Sequence, residues 1–186
     1  MIQAVIKPMG ISPAQLADMC KAYVQGGADV IKDDHGITNQ PFCTFEERIK
    51  RCAAAVAETN AQTGQHTLYA ANVSADGEAV LERAHYAKAM GATALMVAPA
   101  LVGYGWLHRL ATDDELGLPI ITHPAMMGGF VLPGAFPVLP TTYGWAYCRV
   151  CLVPICRFLC PMAAVLPLRR SNANVFPPTV RIRLKV

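Results

Sequence analysis

The chain has 186 residues, 53% hydrophobic and 16% charged, enough for one domain with a sizeable core. Its formal charge of +3 is too small to argue for nucleic acid or a membrane surface as a partner. That mean conceals a break: residues 1–134 hold nine Lys and Arg against all 13 Asp and Glu, a net −4, whereas residues 135–186 hold seven basic residues and no acid.

Ile2 to Ile6 is a short apolar run, a first strand, closed by Pro8 and Gly10. Ser12-Pro13 then opens a helix as N-cap and first-turn proline. Leu16, Met19, Cys20, Tyr23 and Val24 keep helical spacing to Gly26-Gly27. Ala28 to Ile31 is a second strand. Thr44 with Glu47 three places on predicts a capping box and a helix through Ile49, Cys52, Ala53 and Val56. Thr67 to Ala71 is a third strand, and a helix begins at Asp76 and runs to Gly91. Thr93 to Val97 is a fourth strand, followed by a helix near Tyr104 to Thr112. Pro119 to Thr122 is a fifth strand, ending at His123. Repeated βα units with apolar strands imply a parallel sheet in an α/β fold. A doubly wound sheet satisfies the same pattern, but the polar residues favour a barrel. Lys7, Lys32-Asp33-Asp34-His35, Asn72 and His123 all stand at strand ends, which in a barrel open on one shared mouth.

Each of these residues also has an ordinary reading. A lysine at a barrel mouth such as Lys7 can serve as base or Schiff-base nucleophile once desolvated, or simply be a solvated loop residue. Lys32 can pair with Asp33 or Asp34 in a salt bridge. Asn72 suits a substrate contact or a turn equally well. His66, His85 and His108 lack any context and read as surface or packing residues. The start of the chain has no basic segment or cleavage site, and Cys20, Cys43 and Cys52 show no pairing pattern. Both features are expected of a cytoplasmic protein with reduced thiols.

The run Gly26-Gly27-Ala28-Asp29-Val30-Ile31-Lys32-Asp33-Asp34, followed by Asn39-Gln40-Pro41-Phe42, resembles the metal-binding strand of the RuBisCO superfamily large subunit. Lys7-Pro8-Met9-Gly10-Ile11-Ser12, at the matching distance ahead, resembles that family's first catalytic-lysine segment, and His123-Pro124-Ala125-Met126 its histidine segment. The resemblance covers about residues 2–134 and implies a TIM-type (β/α) barrel, incomplete at about five of its eight units. It implies that Lys7 moves protons at a substrate enol. By the same resemblance Lys32 would become a CO2-derived carbamate that holds Mg2+, Asp34 would be a further ligand, and His123 would meet the substrate. It also implies a phosphorylated substrate and a homodimer of the intact form.

Three positions depart from the carboxylating members. Met9 stands where they carry a second lysine, His35 where they carry a glutamate ligand, and Pro124 where they carry a phosphate-gripping arginine. His35 remains a candidate metal ligand, although imidazole suits transition metals better than Mg2+. These departures point to the RuBisCO-like (form IV) branch, whose members enolise, isomerise or decarboxylate phosphorylated keto-sugars and keto-acids. A ribulose-bisphosphate carboxylase fragment is the alternative, and a Schiff-base aldolase on Lys7 or Lys32 is another.

The resemblance ends after Gly134. Residues 135–186 hold half of the 14 prolines and the series Cys148, Cys151, Cys156, Cys160. The cysteines admit a metal site, but the abrupt change of composition favours a frameshifted or degenerate tail. Pro154, Pro161, Pro167 and Arg157 argue against a spanning helix there. The expectation is then a poorly soluble, inactive chain, because half a barrel leaves open sheet edges. A non-enzymatic product of a disrupted gene, and a small metal-binding or membrane-associated protein that works through its tail, are the readings from other classes.

Overall fold

The computed structural model describes residues 2–7 and 10–126. Pro8, Met9, the cysteine series and the whole 135–186 segment lie outside the described residues. Five strands alternate with helices: β1 (Gln3–Ile6), α1 (Pro13–Gln25), β2 (Val30–Asp33), α2 (Phe45–Thr63), β3 (Leu68–Asn72), α3 (Ala79–Ala89), β4 (Ala94–Val97), α4 (Pro99–Val102), α5 (Tyr104–Ala111) and β5 (Ile120–Thr122). All neighbours are parallel and the sheet order is β1-β2-β3-β4-β5. A doubly wound sheet reverses direction at a switch point. Among the described residues this one never does, so the winding over these five strands is that of a barrel.

Strand alternation sorts side chains into two layers. Ile6, Ile31, Tyr69, Leu95, Val97 and Ile120 face the helices and join Leu16, Cys20, Ile49, Cys52, Val80 and Leu107 in the main core. Val30, Ala70, Ala94, Met96 and Ile121 form the opposite, inner face. Each fully buried Leu or Ile of the outer layer contributes about 1.5–3 kcal/mol. The helices are therefore held mainly by this seam. Cys20, Cys43 and Cys52 are free and buried in or beside it.

The helix starts hold two corrections. Thr44 makes no side-chain capping bond. The Phe45 N–H instead donates to Asn39 Oδ1 at 2.9 Å, and Glu47 pairs forward with Arg51 one turn on. The reciprocal capping box lies in α1, where the Ser12 N–H donates to Gln15 Oε1 at 2.9 Å and the Gln15 N–H to Ser12 Oγ at 3.4 Å. Helix α3 starts at Ala79 rather than Asp76, because Gly77 adopts φ +52°, which a helix does not tolerate.

Strand β2 is displaced toward the chemistry. Residues 27 and 28 finish the turn after α1, with the Ala28 N–H donating to the Tyr23 carbonyl at 3.0 Å, so the strand takes in Lys32 and Asp33. No helix among the described residues is long and apolar enough to cross a membrane.

Candidate functional site

The register of β1 and β2 decides which polar groups meet. Val5 pairs with Lys32 and Ile6 with Asp33, so Lys32 lies on the inner face and Asp33 among the helices. Lys7, one residue past Ile6, returns to the inner side, as does Asp34 after Asp33. His123 follows Thr122 in the same sense. The ends of β1, β2 and β5 thus bring Lys7, Lys32, Asp34, His35 and His123 to one mouth.

Lys32 is 8% exposed, and its Nζ donates to the Asp33 carbonyl at 3.2 Å and lies 3.7 Å from Met96 Sδ. Burial lowers its pKa, Asp34 and Asp33 oppose that, and Lys7 adds to it. Asp34 Oδ1 accepts the Gly36 N–H at 2.8 Å and lies 3.5 Å from His35 Nδ1. The His35 and His123 rings stack, with centroids 4.2 Å apart and planes 15° apart. Burial, then His35 and Lys32, push the His123 pKa down to about 4, so the ring is neutral at neutral pH. Its Nδ1 accepts the Ala125 N–H at 3.1 Å, which fixes the ring orientation.

Asn72, the other candidate substrate contact, ends β3. It is fully buried, and its Nδ2 donates to the carbonyls of Asp34, His35 and Ile37 at 3.1–3.3 Å. Its Oδ1 accepts the Ser74 N–H at 3.1 Å. Its N–H donors are spent on the loop that carries Asp34 and His35.

Sequence reasoning left Asp33 as a salt-bridge partner and gave Arg48 and Tyr69 no role. All three are fully buried. Asp33 Oδ2 accepts Arg48 Nε at 3.1 Å and the Asn72 N–H at 2.9 Å, and Oδ1 accepts the Tyr69 hydroxyl at 2.8 Å. Burial raises the Tyr69 pKa well above its ordinary value, and Asp33 adds to this. Burial works against the Arg48 charge, yet Asp33 and Tyr69 hold its pKa above the ordinary value. The available signal was alternation: in a strand with two buried faces, the middle of three polar residues must point away from the other two.

A divalent cation suits part of this donor set. Asp34 offers a carboxylate at the mouth, and a buried lysine with a lowered pKa suits a carbamate, which would add a second oxygen donor. His35 would supply nitrogen. Three His, Cys, Asp or Glu ligand atoms come within 4.8 Å of one another at one place among the described residues, and it is elsewhere: His85, Asp113 and Glu115. There His85 Nε2 meets Asp113 Oδ2 at 3.1 Å and ties α3 to the loop before β5. His85 thus has a context that the sequence did not reveal.

The catalytic-domain model of the ribulose bisphosphate carboxylase large chain matches residues 1–131. A ribulose bisphosphate carboxylase-like protein of Archaeoglobus fulgidus is 36% identical over 131 residues, 70% of this chain and 30% of the relative. A 2,3-diketo-5-methylthiopentyl-1-phosphate enolase of Microcystis aeruginosa is 33% identical over 129 residues, 69% of this chain and 33% of the relative. The solved Rubisco-like protein from Rhodopseudomonas palustris superposes with a TM-score of 0.65 at 38% identity, covering 68% of this chain and 36% of that one. This chain spans about a third of the length of the curated relatives it matches.

Proposed function

Since the chain belongs to the family of the ribulose bisphosphate carboxylase large-chain catalytic domain, we propose that its βα units carry the metal-holding and proton-moving side of an enolising site. The observation that supports this most is the meeting of Lys7, Lys32, Asp34, His35 and His123 at one set of strand ends, with Lys32 buried and its pKa lowered. The substrate class is a phosphorylated keto-sugar or keto-acid, and the reaction an enolisation, isomerisation or decarboxylation. Similarity to an enolase of that class supports this assignment.

Lys7 takes the proton beside the substrate carbonyl. Lys32, as a carbamate, and Asp34 are the residues to hold Mg2+, with His35 as third donor. When bound, the ion supplies positive charge for the enediolate oxygens. His123, neutral above its pKa of about 4, hydrogen-bonds a substrate hydroxyl or phosphate. Asn72 serves from beneath, holding the 34–37 backbone. His35 and Pro124 stand where carboxylation needs glutamate and arginine, so CO2 fixation is not the chemistry we assign. A homodimer is the expected assembly of an intact form.

Barrels commonly grip phosphate with loops after their seventh and eighth strands. The described residues hold five strands, so we expect residues 2–126 by themselves to be silent. Deuterium wash-in at the enolising carbon of 2,3-diketo-5-methylthiopentyl 1-phosphate, followed by NMR with Mg2+ and bicarbonate, tests both parts. A chimera placing residues 2–126 in the Microcystis enolase should exchange. Its Lys7→Met and Lys32→Met forms should be slower by about 100-fold or more. A folded chimera that exchanges only at the background rate sinks the assignment.

A further inference from the structure

Arg48 spends two nitrogens on one short loop. Its Nε donates to Asp33 at the end of β2, and its Nη1 donates to the Thr38 carbonyl at 2.8 Å. Between those two attachments lie Asp34 and His35. From the other side, Asn72 Nδ2 holds the carbonyls of Asp34, His35 and Ile37, while the Asn72 N–H donates to Asp33. Tyr69 completes the cage on Asp33. Lys32 belongs to it too, since its Nζ donates to the Asp33 carbonyl.

A buried ion pair is a poor device for stability alone, because apolar residues of similar volume often hold a fold as well or better. Arg48 even carries a cost: its Nη2 is buried and has no hydrogen-bond partner. What the pair supplies and leucines cannot is direction. With Asp33 fixed among the helices, strand alternation forces the residues on either side of it toward the inner face.

We infer that Arg48, acting through Asp33, is a positioning residue that aims Lys32 and Asp34 into the mouth. The inference rests on the enolising-site reading for what the mouth does, but its geometry stands apart from it. Arg48→Lys keeps the charge yet cannot span Asp33 and Thr38 with one rigid fork. Tyr69→Phe removes a single bond to Asp33 and leaves the ring in the core.

The test compares these two variants of the full chain with Val56→Ala, a core truncation about two turns further along the same helix. Hydrogen exchange is followed by mass spectrometry, and Mn2+ affinity is measured by electron paramagnetic resonance in bicarbonate buffer. Positioning predicts exchange at least tenfold faster across 33–38 and at Asn72, with α1 and α5 unmoved. It also predicts Mn2+ affinity at least tenfold weaker in both variants and within twofold of wild type in Val56→Ala. Exchange that rises evenly through the molecule overturns the inference, as does local loosening with Mn2+ affinity unmoved. If the wild type takes up no Mn2+, the metal reading falls. The exchange pattern then decides alone: a local rise keeps Arg48 as the residue that aims β2, and an even rise removes it. If Arg48→Lys does not fold, Tyr69→Phe carries the same comparison.

Discussion

Asp33 and Asp34 are neighbours of identical chemistry with opposite fates. Asp33 is fully buried among the helices and accepts three hydrogen bonds, one from a guanidinium. The Asp34 side chain is 17% exposed at the mouth, accepts one backbone N–H, and faces a histidine ring. One residue of rise in a β-strand makes the difference, because successive side chains leave by opposite faces. The lesson is that a run of charged residues at a strand end should not be read as one ligand cluster. Half of it anchors the other half.

The largest expected effect comes from breaking the anchored side. Asp33→Ala leaves Arg48 charged and unpaired in the core, which costs about 3–5 kcal/mol. Domains of this kind are stable by only about 5–15 kcal/mol, so the loss is a large share of the total. Asp34→Asn should shift stability by only about 0.5 kcal/mol. Urea unfolding of the two variants measures the contrast, and equal losses would erase the distinction between the faces.

Tyr69→Phe is next. It removes a hydrogen bond to a charged acceptor without emptying the ring's volume, for a loss of about 1.5–3 kcal/mol. Asn72→Ala follows at about 1–3 kcal/mol, because three carbonyls and the Ser74 N–H lose their partner. Both changes should loosen the 34–37 backbone, but only the Asn72 change should also free the Ser74 N–H, which loses its acceptor. Amide exchange resolves the two; identical exchange maps would mean that the anchor and the loop are one unit.

How much of this was legible beforehand follows from the same alternation. The βα order, the five strands and the meeting of Lys7, Lys32 and His123 were readable from apolar runs and from the residues that end them. Boundaries slipped where a glycine or a turn claimed residues that the pattern had assigned elsewhere. Gly77 delayed α3, and the turn through Ala28 pushed β2 on to Asp33. The cap of α2 was misplaced because Asn39, five residues before Thr44 and outside any helical window, supplies the oxygen. Arg48 was overlooked. Among Glu46, Glu47, Lys50 and Arg51 it looks like one more surface charge, although it stands on the buried stripe of α2 with Phe45, Cys52 and Val56.

The smallest expected effect belongs to the mouth and tests its electrostatics. His123 titrates near 4 in the folded chain against an ordinary value of 6.5. Above pH 6.5 the ring is neutral in both folded and unfolded states, and it contributes nothing that depends on pH. Between 6.5 and 4 the unfolded chain takes up the proton and the folded chain does not, so stability falls as pH falls. Below 4 both states are protonated and the decline from this residue ends. The drop should be modest, because solvent reaches the ring and screens it. His123→Gln should therefore lose less stability than wild type between pH 7 and 4.5, a comparison that cancels the carboxylates titrating in both proteins. Burial is the first cause of the shift and the stacked His35 the second, so His35→Gln should move the His123 midpoint part of the way back toward 6.5. A wild-type midpoint already near 6.5 in an NMR titration would mean that the ring is solvated and the stack does not persist. The neutral donor–acceptor at the mouth would then exist only above about pH 6.5, with no reserve against acid.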